Sequence, residues 1–171
     1  MTTANHPQFE IYLQSISEKY KDWWNLYTLT DAEGKIHHNP NIVHFCGHGA
    51  GDDGLLLENE NEQKQFVSSE SLAGLFKLFK NDVECVVMNA CYSEVQAEAI
   101  HQHINCVIGM NQAIGDNAAI NFATGFYEGL FNARNYQDSF EFGKNALDLK
   151  GIPKSQIPQI KIRDSSQSLI S

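Results

Sequence analysis

The chain has 171 residues, 42% of them apolar and 18 aromatic (2 Trp, 6 Tyr and 10 Phe), enough for one domain with a core of its own. A formal net charge of −9 without a Lys/Arg cluster disfavours nucleic acid and anionic membrane as partners. No stretch reaches the roughly eighteen consecutive apolar residues of a membrane span, the opening MTTANHPQFE carries neither a basic start nor an apolar signal core, and the expected location is the cytoplasm.

Apolar residues at helical spacing from Phe9 to Tyr27 predict an amphipathic helix, followed by a polar loop over DAEGKIHHNPN. Ile42 to Cys46 reads as a short strand ended by the glycines of GHGAGDDG, with two small strands at Leu55–Leu57 and Gln65–Val67 around an acidic tip, ENENEQ. Ser68 and its neighbours cap a helix through Leu72, Phe76 and Phe79. Val83 to Met88 is apolar almost throughout, as a strand covered on both faces must be. A helix from Ser93 to His103, a strand from Cys106 to Met110, helices over Asp116–Asn132 and Ser139–Lys150, and an edge strand at Ile157–Ile162 complete the pattern. The alternation predicts an α/β sandwich around a mostly parallel sheet, and such sheets carry their sites at the carboxyl ends of the strands.

Two loops lie at those ends. The first presents His48 between Gly47 and Gly49; the second, NACYS, presents Cys91 one residue before the predicted helix. A thiol near a helix amino end is favoured as thiolate, and a histidine from the neighbouring strand can take its proton and return it to a leaving amine. The Gly49 and Cys91 N–H groups are candidates for an oxyanion hole, a contact typically worth about 3 kcal/mol to a transition state. The other thiols, Cys46, Cys85 and Cys106, sit in apolar runs and read as core, with no CxxC pair to suggest disulfides or a metal clasp.

His48 precedes Cys91 by 43 residues, near the roughly 50-residue spacing of caspases. With VHFCGHG and GLLL, then VVMNACYSEVQAEAI, then VIGMNQAIGDNAAINFATGFYEGL, residues 36–150 resemble the caspase-like cysteine peptidases, most closely their CHAT branch, related to separase and metacaspases. The resemblance implies a caspase-like three-layer sandwich with helices on both faces, a bacterial protein in regulated proteolysis or defence, His48 as general base and Cys91 as nucleophile. It also implies that Asp116 receives a basic residue before the cleaved bond, with Asn89 lining the same pocket, so that the substrate is a protein cut after Arg or Lys. No cofactor or metal is implied. Complete members have two further strands before the histidine strand. The lead here predicts a sheet shortened at its amino-terminal end: a trimmed fragment, a compact variant, or a sheet completed by another copy or a regulatory partner. The expected division is residues 1–35 as helix and connector, 36–163 as the domain, and 164–171 as a disordered tail.

Several readings compete. His44, Cys46 and His48 share a strand face and, with His101 or His103, could be drawn as a metal site, although the spacing matches no common zinc pattern. A phosphate loop would need the Lys and Ser/Thr that GHGAGDDG lacks. Asp52, Asp53 and the ENENE tip are candidate calcium ligands, and Asp116 equally suits a helix N-cap. His48 and Cys91 could be a satisfied histidine and an inert thiol in a non-catalytic interaction module, or part of a protease latent until a partner orders its loops.

Overall fold

The structure is a computed structural model that describes residues 41–58 and 64–163. The helix expected over Phe9–Tyr27, the loop after it, most of the acidic tip and the tail lie outside the described residues. Strands β1 (Ile42–Gly47), β4 (Cys85–Ala90) and β5 (Cys106–Met110) run parallel, and β6 (Pro158–Ile162) closes the far edge antiparallel to β5, in the order β1-β4-β5-β6. Between β1 and β4 come an antiparallel hairpin, β2 (Leu55–Glu58) with β3 (Lys64–Val67), and helix α1 (Ser69–Leu78). Helix α2 (Glu94–His101) links β4 to β5, and α3 (Asp116–Phe131) with α4 (Tyr136–Leu149) links β5 to β6.

The near-continuous apolar runs follow from a sheet covered twice. All residues of β4 and β5 are buried, yet they alternate between two cores. Cys85, Val87, Cys106, Ile108 and Met110 face α3 and α4, where Phe122, Phe126, Phe140 and Leu147 pack. Val86, Met88, Ala90 and Val107 face α1 and α2, against Leu72, Phe76, Ala97 and Ile100. This is the three-layer caspase-like sandwich with a mostly parallel sheet. Each fully buried phenylalanine contributes roughly 2–3 kcal/mol of transfer energy, so two cores are within reach of a chain this short.

Boundaries move where side chains cap or break. Ser68 caps α1, its Oγ accepting from Ser71 N–H at 3.1 Å, as its sequence position predicts. Helix α4 starts at Tyr136, three residues before the expected Ser139, because Asn135 caps it by accepting from Asp138 N–H at 2.7 Å. Strand β4 runs from Cys85 to Ala90 rather than from Val83 to Met88, which draws Asn89 out of the expected loop and into the sheet. The remaining strands and α3 end within a residue or two of their expected bounds. No described helix is long and apolar enough to cross a membrane.

The α3–α4 hairpin packs so closely that a Cβ added at Gly125 would lie 2.7 Å from both Ala146 Cβ and Phe142 O. Gly125→Ala must therefore push the helices apart; the expected result is a loss of about 1–3 kcal/mol in urea denaturation with the secondary structure kept.

Candidate active site

The last register pair of β1 and β4 is Gly47 with Ala90, so His48 and Cys91 both come one residue past the paired strands, at the same level of the sheet. Neighbouring strands lie about 4.8 Å apart, which puts the imidazole and the thiol within side-chain reach of one another's loops. Cys91 is half-buried and packs against the α3-side core, while His48 is exposed.

The two loops touch through their backbones. A Cβ added at Gly49 would come 2.2 Å from Cys91 O, a distance at which no side chain fits. Glycine is thus required beside His48 by close approach. Gly49 also faces Leu55 in an isolated antiparallel bridge, flanked by Leu56 N–H donating to His48 O and Ala50 N–H donating to Gly54 O, each at 3.0 Å. Gly49 is the non-bonded member of that ladder, so its own N–H points away from the hairpin.

Buried polar side chains that sequence reading missed hold this arrangement. Ser93 donates from Oγ to Met88 O at 2.7 Å and accepts from Met110 N–H at 3.0 Å, clipping the cysteine turn to β4 and β5. Gln96, fully buried, donates to Gly51 O at 2.7 Å and Ser69 Oγ at 3.0 Å, tying the histidine loop to α2 and the start of α1. A polar residue on the apolar face of a short helix was their only signal. Cys91 stands two residues ahead of α2's N-cap, Ser93, slightly farther from the helix than predicted. Between them, Tyr92 adopts φ 56°. The other described non-glycine residue with positive φ, Ala133, closes the end of α3 through its N–H to Leu130 O, a common helix-end geometry. Tyr92 terminates no helix, and its conformation costs on the order of 1–3 kcal/mol, the kind of strain that collects at functional sites.

Asn89 bonds to α3, the helix that Asp116 begins. Asn89 is 4% exposed; its Nδ2 donates to Ala119 O at 3.0 Å, and its Oδ1 has no partner among the described residues. Asp116 is the first residue of α3, one turn before Ala119, and is exposed. The N-cap itself is Gly115 at φ 75°, so the capping role open to Asp116 in the sequence falls to its neighbour. Lys154 Nζ donates to the carbonyls of Ala113 and Ile114, fixing the loop that leads to Asp116.

His44 and Cys46 share a hydrogen bond, Nε2 to Sγ at 3.2 Å, and the other imidazole nitrogen bonds Tyr127 OH at 2.9 Å. Burial lowers His44 to a pKa of about 4, and burial, opposed by a hydrogen bond from Asn89, raises Cys46 to about 11. The pair is therefore neutral rather than thiolate and imidazolium. His101 lies in α2 on the other face of the sheet, and no group of three or more His, Cys, Asp or Glu among the described residues converges as a metal site. Cys85 and Cys106 are buried register partners with Sγ atoms 3.4 Å apart, and burial pushes Cys85 well up.

His44 predicts a pH dependence. Unfolded it titrates near 6.5, folded near 4, so protons favour the unfolded chain between those values. This contribution to stability is full above about pH 6.5, falls by about 1–3 kcal/mol as pH drops towards 4, and then levels. Urea midpoints at pH 7.5 and 4.5 should show that part of the fall reduced in His44→Gln.

Comparison with known proteins agrees with this architecture. The pattern of the CHAT domain family matches residues 21–141, beginning within the stretch read from sequence as helix and connector. A "Roc-COR-CHAT protease" from an unknown prokaryotic organism is 25% identical over 136 residues, covering 74% of this chain and 13% of that protein. A "Probable protease" from Gillisia limnaea is 26% identical over 140 residues, covering 81% of this chain and 22% of that protein. The chain thus spans under a quarter of the length of either relative. With the family pattern matched over most of its length and a caspase-like sandwich beneath it, the chain belongs to the CHAT domain family.

Proposed function

We propose that the chain is a cysteine endopeptidase domain that cuts proteins after a basic residue. The observation carrying the reading is the seam at the ends of β1 and β4, where His48 and Cys91 follow the same register pair and Gly49 abuts the Cys91 backbone. The names of two relatives, a "Roc-COR-CHAT protease" and a "Probable protease", support it. His48 takes the proton of Cys91 Sγ; the sulfur attacks the peptide carbonyl, with the oxyanion received by the Gly49 and Cys91 N–H groups. His48 then passes its proton to the leaving amine, and a water that it deprotonates hydrolyses the thioester, regenerating the thiol.

Asp116 supplies the charge that selects Arg or Lys before the cut, and the Oδ1 of buried Asn89, without a partner among the described residues, supplies a neutral acceptor. A buried acceptor without a donor is unfavourable by about 1–3 kcal/mol, and a guanidinium or ammonium donor would remove that penalty. The setting we infer is regulated proteolysis or defence in the cytoplasm of a prokaryote, where four unbridged cysteines stay reduced. Partner domains of the kind named in the Roc-COR-CHAT relative would control it. The rival reading, a non-catalytic module or a latent protease awaiting a partner chain, draws on β1 standing at a sheet edge among the described residues.

With otherwise identical fluorogenic peptides ending in Arg or Asp, the Arg peptide should be turned over faster, and Cys91→Ala and His48→Ala should each lose about a thousandfold or more. Asp116→Asn should lower the Arg-over-Gln preference about 10- to 100-fold in kcat/KM. Iodoacetamide at pH 7.5 should modify Cys91 ahead of the other three thiols. Full turnover by Cys91→Ala would remove it from the mechanism, an Asp preference would overturn the role of Asp116, and uniform slow labelling would favour the module.

A further inference from the structure

The residue after the nucleophile has a role that the strand-end pattern does not supply. Tyr92 is 50% exposed, an aromatic held at a left-handed φ where glycine would sit without strain. It lies between the two loops of the site. On one side its N–H donates to Gln112 O at 3.4 Å, in the loop that leads to Asp116. On the other, a Cβ added at Gly51 would lie 3.7 Å from Tyr92 Cβ, so the side chain leaves the backbone towards the loop that carries His48. That loop is fixed by Gln96, whose Nε2 donates to Gly51 O at 2.7 Å.

We propose that Tyr92 forms the subsite for the residue immediately after the cleaved bond and selects an apolar side chain there. The inference rests on the reading of His48 and Cys91 given above. In that reaction the leaving amine receives its proton from His48, so the chain beyond the cut must pass over the His48 loop. The residue before the cut turns the other way, towards Asn89 and Asp116 on the α3 side. Tyr92 is the aromatic surface that borders the His48 loop, and Val95, three residues on in the first turn of α2, is also exposed at 43%. Asp52 and Asp53, exposed beside Gly51, repel an acidic residue at the same place. An exposed aromatic ring binds leucine or phenylalanine by contact area and offers an acidic side chain no partner.

The test uses internally quenched peptides with arginine before the cut and leucine, phenylalanine, alanine or aspartate after it. The wild type should prefer leucine and phenylalanine over aspartate by about tenfold or more in kcat/KM. Tyr92→Gly removes the ring while suiting the backbone, so the variant folds at least as well as the parent; its leucine-over-aspartate ratio should fall at least fivefold, and Tyr92→Phe should restore the ratio to within twofold. An unchanged ratio in Tyr92→Gly, with cleavage still dependent on Cys91, overturns the subsite alone. Cleavage of no peptide by the wild type, or cleavage that survives Cys91→Ala, overturns the dyad and the subsite together.

Discussion

The arrangement of the site depends on one close approach, the backbone of residue 49 lying against the carbonyl of Cys91. It exists because β1 and β4 stay in register to their last residues, and because the chain after β1 turns at once into the β2–β3 hairpin. Had either strand slipped by one residue, His48 and Cys91 would leave the same level and their side chains would exchange faces. The hairpin, Ser93 and Gln96 are the supports that keep the approach in place, each by hydrogen bonds, those of Ser93 buried.

The sheet also sorts the thiols by environment. Cys85 and Cys106 are enclosed between α3 and the strands, and Cys46 is bonded to a neutral imidazole. Desolvation penalises charge on Cys46 and Cys85. Cys91 stands half-buried past the end of β4. Position along the strands, not the choice of face, sets Cys91 apart, since Cys85 and Cys106 belong to the α3-side core that Cys91 also packs against.

How far the sequence reveals this varies by element. The apolar runs at Val83 and Cys106 mark two strands buried on both faces, the run at Ile42 marks a partly buried one, and the glycines around His48 mark its end. What was not legible was long-range and polar. Nothing near Gln96 announces a bond to Gly51, 45 residues earlier, and nothing near Tyr127 announces its bond to His44, 83 residues earlier. Asn89 could be placed near Cys91 but not in the strand, since β4 continues past its apolar run wherever Asn89 finds Ala119 O to bond. The positive φ of Tyr92 leaves no trace in composition, because tyrosine is not a residue that signals a left-handed turn.

Asp116 carries a consequence for how such a domain diversifies. It opens the helix whose inner side fills the larger core, yet it is exposed, and the capping position before it belongs to a glycine. Rewriting that one carboxylate alters neither packing nor cap, while the loop beneath it remains pinned by Lys154. If Asp116 selects the target as proposed, target choice and foldedness are governed by different atoms. A lineage of such domains could change what it recognises one residue at a time, without passing through unstable intermediates.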